Sequence, residues 1–327
     1  MLFKTHKGFT LVELLVVIAI LGVLAAALTT QVTKARNMGQ AIRCKASLKN
    51  LAQAALNYAV DKHSGRTGAW QPEEIMPWAG SHEGSWPGAD ASGNYVQFYH
   101  ECPGWVGWTG SGRWKSRDPQ SGAMTPACFY GDKTTTYNSI SNGVLWSYVG
   151  GDMATFLCDV HKAAAKRAKL DNVRRSYVMN GYFGYDYRTG AGAKQAVGRS
   201  IQVHSLSDRG NAGGLLLFAE LPAFKLGGGT FKESVDNDKK SADGVLETVI
   251  KGYATKPSKE ELLGFNHQVG KRFVAHVAYA DGHVDVVAAP QDPTEAKLKD
   301  LTFFLCNGVD VPSDSKDWPS QRSEFLK

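Results

Sequence analysis

Between Phe9 and Gln31 the chain has no lysine, arginine or histidine, and from Phe9 to His63 it has no proline. The first absence leaves Glu13 as the lone charge of an apolar run, Phe9–Leu28, with no cation in that stretch to neutralise it. The second excludes a proline kink or break in a helix built from these residues. Five cysteines are present, Cys44, Cys102, Cys128, Cys158 and Cys306, and none shows C-x-x-C spacing. That argues against a zinc site. Their odd number leaves at least one free or paired outside the chain. The formal charge is +6, falling to +4 without Lys4 and Lys7, and the basic residues are scattered. Such a balance argues against a nucleic-acid partner. The densest basic patch, HKAAAKRAKLDNVRR at residues 161–175, reads as a solvated loop or short helix.

What is present begins with KGFTLVELLVVIAILGVLAAA, residues 7–27. A twenty-residue helix is about 30 Å long, which matches the hydrocarbon thickness of a bilayer. An acidic residue inside such a helix is costly and is a functional hypothesis by default. An ordinary secretory signal would use Lys4 and Lys7 as its basic region and Ala25–Ala27 as its cleavage site. The apolar run is longer than a usual signal core, and a glutamate has no role in a discarded segment. Removal of a short leader after Gly8 explains more. Phe9 then carries a new amine one helical turn from Glu13, and the Glu13 of a neighbouring subunit can pair with it when these helices bundle.

Gly8-Phe9-Thr10-Leu11-Val12-Glu13, followed by Leu14–Ala27, resembles the processing signal of type IV pilins and type II secretion pseudopilins. The resemblance implies cleavage between Gly8 and Phe9 by a prepilin peptidase, and N-methylation of Phe9. Many family members carry a proline about two-thirds along this helix. Here the chain reads Leu28-Thr29-Thr30-Gln31.

The proline-free stretch from Phe9 to about His63 predicts one helix of about 80 Å at 1.5 Å per residue. In its second half Cys44, Leu48, Leu51, Ala52, Ala55, Leu56 and Ala59 recur at steps of three and four, with Arg43, Ser47, Asn50, Asn57 and Asp61 opposite. That is one apolar stripe suited to a soluble domain, and it carries Cys44 within reach of a domain cysteine. Gly65 and Gly68 stop the helix. Residues 64–150 form a Trp- and Gly-rich irregular insert. Residues 151–311 read as a β-rich head, with strands expected at Thr155–Cys158, Ser176–Met179, Leu215–Glu220, Phe273–Tyr279 and His283–Val287. The last two flank Asp281-Gly282, a type I′ hairpin signal. Residues 312–327 read as a loose tail. RCKASLKNLAQAALNYA, GVLWSYVGGDMATFLCD, SYVMNG and FNHQVGKRFVAHVAYADGHV are similar to a large group of pilin-like proteins that end in a histidine, a spacer and Asp-Gly. The thirteen residues between His267 and Asp281 exceed the usual spacer.

Three constellations stand outside that frame. His267, His276, His283, Asp281 and Asp285 lie close in sequence, and a metal site could be drawn from them. Turn service by Asp281 and cross-strand pairing by the histidines is the simpler expectation. No serine nucleophile motif accompanies them, so no enzymatic chemistry is expected. Residues 90–101 place Asp90 and Glu101 at the ends of a calcium-loop spacing, but Tyr95 stands where that loop needs glycine. Asp236, Asp238 and Asp243 are a second acidic turn. Calcium is the one cofactor entertained, and both segments read first as plain turns. Finally, Trp70, Trp78, Trp86, Trp105, Trp108 and Trp114 are six of eight tryptophans. They read as a small core of their own, or as an aromatic platform for a polysaccharide.

The expected fold is α+β, a pilin-like lollipop: a long N-terminal helix, membrane-spanning over 9–29, packed on an antiparallel β-sheet head. The expected role is a structural subunit assembled through Phe9 and Glu13 into a pilus or a type II secretion pseudopilus. Its partners would be copies of itself or other pilin-like subunits, a prepilin peptidase and methylase, and the membrane. It would lie in the inner membrane as a single pass, leader in the cytoplasm and head periplasmic or extracellular. The alternative is a membrane-anchored carbohydrate-binding protein that does not polymerise.

Overall fold

The computed structural model describes residues 11–63, 77, 85–89, 95–99, 105–106, 140–141, 143–170, 173–180, 183, 212–235, 245–246 and 262–307. Helix α1 runs from Leu11 to His63, 53 residues without interruption. The chain divides into two units, Met1–Ile42 and Arg43–Lys327. In the first, α1 leaves its apolar side chains exposed on every side, from Leu11 through Val23, Leu24 and Leu28 to Val32. It stays helical through the Thr-Thr-Gln segment. The Thr29 and Thr33 hydroxyls donate to the carbonyls of Ala26 and Thr29, each at 2.9 Å. No proline removes a bond from the ladder here.

In the second unit α1 buries the expected stripe. Cys44, Leu48, Leu51, Ala52, Ala55 and Ala59 are buried, Leu56 is half-buried, and Ala54 and Tyr58 join them. Arg43, Asn50, Asn57 and Asp61 face outward. The Tyr58 ring meets Tyr148 edge-on at 5.8 Å, on the short helix α2 (Leu145–Tyr148).

Among the described residues the main sheet has six strands. In chain order they are β3 (Tyr177–Asn180), β4 (Leu216–Glu220), β7 (Val245–Leu246), β8 (His267–Val269), β9 (Arg272–Tyr279) and β10 (Val284–Ala288). Across the sheet the order is β10-β9-β4-β3-β7, with β8 also paired to β9. All pairings are antiparallel except β3 with β7. Two hairpins lie apart: β1 (Ser85–Ala89) with β2 (Tyr95–Tyr99), and β5 (Phe224–Gly227) with β6 (Thr230–Glu233). The first falls in the insert expected to be irregular. Strand β4 is buried at all five positions, as a strand covered on both faces must be.

Three local expectations are corrected. Thr155–Cys158 is not a strand: Met153–Phe156 is a 3₁₀ turn, started by the Asp152 carboxylate accepting from the Ala154 amide at 3.0 Å. The Asp281-Gly282 hairpin is not type I′. Gly282 is left-handed (φ +85°) but Asp281 is not. The Gly282 amide donates to Tyr279 and the Tyr279 amide to His283, both at 2.9 Å. The loop therefore has three residues, 280–282, with a left-handed glycine at its end. The Asp281 carboxylate favours this form by accepting the His283 amide at 3.0 Å. Lastly, the head is less purely β than expected. The basic patch forms helix α3 (Asp159–Arg167) in its first part, the short helix that is one of its two expected forms. Helix α4 (Glu295–Asn307) buries Leu298, Leu301, Phe303, Phe304 and Cys306. Buried Asn180 binds β4 to this helix, donating to the carbonyls of Leu216 at 2.8 Å and Cys306 at 2.9 Å.

Candidate functional site

Two regions carry function-bearing residues. The first is the start of α1. Among the described residues, α1 is the one helix long and apolar enough to cross a membrane. Glu13 sits in its first turn, exposed. A carboxylate there also suits the helix dipole. Gly8 and Phe9 lie outside the described residues.

The second region is buried in the head. Strand β9 is paired along one edge first by β8 and then by β4. His267 opposes Val274, and Ala219 opposes Val277. Where the edge passes from one strand to the other, Glu220 ends β4 and His267 begins β8. Close backbone approach fixes this junction. The Gly264 amide donates to the Glu220 carbonyl at 2.7 Å, and a Cβ on Gly264 would lie 2.4 Å from the Leu221 oxygen. Asn266 completes it, donating to the Leu221 carbonyl at 2.8 Å and accepting from the Ala223 amide at 2.6 Å. His267 Nε2 then lies 2.9 Å from Glu220 Oε1, and His276 Nδ1 lies 3.4 Å from the same oxygen.

Two thiols meet this pair. Cys158 precedes α3, its amide donating to Ser176 Oγ at 2.6 Å, and its Sγ is 3.6 Å from His267 Nε2. Cys44, from α1, brings its Sγ to 2.6 Å from that of Cys158. Cys44 and Cys158 are not joined in a disulfide. The ligand atoms of Cys44, Cys158, Glu220 and His267 all lie within 4.8 Å of one another, and all four residues are buried. The Tyr177 hydroxyl is buried beside them and makes no well-formed hydrogen bond.

The electrostatics are those of groups that hold charge in a dry place. Burial alone would raise the Glu220 carboxyl, but the His267 charge and the hydrogen bonds from His267 and His276 hold it at about 2. Burial pulls the His267 imidazole down, and Glu220 and Cys44 outweigh that to bring it to about 10. The Cys158 contact, opposed by burial and helped by His267, lowers the Cys44 thiol to about 7, while burial pushes Cys158 up. Burial and the neighbouring Cys158, Cys44 and Glu220 charges raise Tyr177 well above the ordinary phenol value. Once the imidazolium gives up its proton, the thiolate, the imidazole and the carboxylate are a donor set that can hold a metal ion. It can also be oxidised at its sulfurs.

Of the histidines and acids that lie close in sequence, the structure separates two groups. His267 and His276 are inside, rings 4.3 Å apart. His283 is outside, stacked on Tyr279 at 4.4 Å and held by Asp281 at 2.5 Å. Asp285 is exposed and its carboxylate accepts from the Val286 amide. Trp105 is fully buried, stacked near Phe156 at 6.2 Å, edge-on to Phe218 at 5.1 Å, with Arg175 over its ring at 5.6 Å. Its faces are taken, so it is core and not part of an exposed sugar platform. Trp86 lies on β1. Trp70, Trp78, Trp108, Trp114, Asp90, Glu101, Asp236, Asp238 and Asp243 lie outside the described residues. Glu220 escaped notice in the sequence. Its one signal was an acid closing the otherwise apolar run LLLFAE.

Residues 3–29 match the family model of the prokaryotic N-terminal methylation motif. No curated protein and no solved structure matches the chain. The motif covers Lys4, Gly8, Phe9 and Glu13 and runs into the exposed apolar part of α1, so the chain carries a type IV pilin-like prepilin signal.

Proposed function

We propose that the chain is a structural subunit that loses its leader after Gly8, is methylated on Phe9, and assembles through the Phe9–Leu28 helix into a pilus or a type II secretion pseudopilus. The match over residues 3–29, continuous with a helix apolar on all sides, carries this reading. A prepilin peptidase and methylase would process it in the membrane. Lys4 and Lys7 would stay in the cytoplasm under the positive-inside rule, and the head would lie on the far side. Glu13 would meet the Phe9 amine of a neighbouring subunit and set the register of assembly. The chain would perform no catalysis of its own.

Mass spectrometry of the mature protein tests the processing. It should begin at Phe9 and be one methyl group heavier than the unmodified chain. A product beginning after Ala27 would remove the assembly helix and the proposal with it. Glu13→Ala tests assembly: incorporation into fibres should fall by about tenfold or more while the protein stays in the membrane, because the anchor loses a costly charge and not its apolar length. No observation on the described residues favours the carbohydrate-binding alternative. Retention of the protein on insoluble polysaccharide would revive it.

A further inference from the structure

Four donors of three chemical kinds converge in the head from four separate elements. Cys44 comes from α1, Cys158 from the residue before α3, Glu220 from the end of β4 and His267 from the start of β8. We propose that Cys44, Cys158, Glu220 and His267 bind one zinc ion that fastens the second half of α1 to the sheet.

Three observations independent of one another support the site. One nitrogen, His267 Nε2, faces Cys158 Sγ at 3.6 Å and Glu220 Oε1 at 2.9 Å at once, so on losing its proton it presents its lone pair where the other donors gather. His276 stands behind Glu220, with Nδ1 3.4 Å from Oε1, as a partner that orients a ligating carboxylate. The Tyr177 hydroxyl is buried against the cluster without a well-formed hydrogen bond, and a metal thiolate would accept one. Two sulfurs, one imidazole and one carboxylate are a set that suits zinc in closed, four-coordinate sites. A disulfide would use the two sulfurs and leave His267 and Glu220 as a buried ion pair with no further role. Such a pair stabilises little against its desolvation. Binding requires one rearrangement. A tetrahedral ion with bonds of about 2.3 Å to sulfur sets the two sulfurs about 3.8 Å apart, and they stand at 2.6 Å here. Binding displaces the His267 imidazolium proton and the proton of each thiol still protonated; these protons leave to solvent, and no electron is transferred.

The experiment uses the full-length protein, processed and recovered from membranes in detergent without chelator or added metal. Elemental analysis should find about one zinc per chain. Cys44 and Cys158 should be reduced, and should react with a thiol reagent only after a chelator removes the ion. Cobalt(II) exchanged into the site should give the intense visible bands of a tetrahedral thiolate centre. Glu220→Gln keeps the shape of its side chain, should fold with an unchanged far-ultraviolet spectrum, and should weaken cobalt binding at least tenfold. Cys158→Ser should abolish the sulfur-to-cobalt bands. A Cys44–Cys158 disulfide in the recovered protein overturns the proposal. So do reduced thiols without zinc, and cobalt bands unchanged by either substitution.

Discussion

The two halves of α1 share a helix, a lack of proline and a wealth of good helix formers, yet they differ completely in what surrounds them. From Leu11 to Val32 the apolar side chains are exposed on all sides. From Cys44 to Ala59 burial follows one stripe, with Asn50, Asn57 and Asp61 on the other side. The difference teaches that helix propensity selects the backbone and the distribution of apolar residues selects the environment. A helix apolar all round is suited to surroundings that are apolar all round, whereas a striped helix needs one folded partner on one side. A membrane or a bundle of like helices meets the first condition, and the head's own core meets the second.

The largest effect should come from moving the same charge between the halves. Leu48→Asp places a carboxylate at a fully buried position without a partner and should cost more than about 4 kcal/mol, enough to unfold the head. Leu15→Asp lies among exposed residues and should leave the head's thermal unfolding unchanged. Its cost, up to about 3 kcal/mol, should appear as poorer membrane insertion. Calorimetry of the two proteins checks the contrast. Equal losses of head stability would break it.

Gly264→Ala comes next. Its Cβ would meet the Leu221 oxygen at 2.4 Å and the Glu220 oxygen at 2.7 Å, so backbone must move. About 1–3 kcal/mol is expected from such overpacking, seen as a lower denaturant midpoint with an unchanged slope. Because the displaced segment ends β4 at Glu220, the variant should also loosen the Cys44–Cys158–His267 junction while leaving the first half of α1 unaffected. Gly282→Ala should cost less, about 1–2 kcal/mol, since alanine is disfavoured in the left-handed region. Its Cβ would also touch Leu56 Cδ1 at 3.2 Å. Combining it with Leu56→Ala should relieve part of the loss if the hairpin turn presses on the stripe of α1. Strict additivity would show that it does not.

What the sequence disclosed follows the same division. The extent of α1, its change of character and the β9–β10 hairpin were legible because each rests on local chemistry: period, absence of proline, and an Asp-Gly pair. The hairpin's loop length was not, because it is settled by the Asp281 carboxylate capturing the His283 amide. Helix α4 was hidden by its own burial. LTFFLC, residues 301–306, is buried throughout and shows no stripe to betray a helical period. Thr155–Cys158 looked like a strand because it is apolar, and the Asp152 cap that starts a 3₁₀ turn outweighed it. The buried cluster could not be read at all from spacing. Its donors lie at positions 44, 158, 220 and 267, and only the handover from β8 to β4 along β9 brings the last two together.

The smallest effect should come from the exposed side of the packed half. Arg43 Nη1 lies 3.1 Å from Asp159 Oδ2, joining α1 to α3. The arginine side chain is 72% exposed, so water already screens the pair. Asp159 also stands in the first turn of α3, where the helix dipole favours a carboxylate whether or not Arg43 is present. Arg43→Ala should therefore cost less than about 1 kcal/mol, and less again at high salt. Chemical denaturation at low and high ionic strength measures both. A loss above about 2 kcal/mol that salt does not reduce would mean that this end of α1 is held from its surface. The rule that separates the two halves, burial of one stripe in one and of none in the other, would then no longer account for where the helix is fastened.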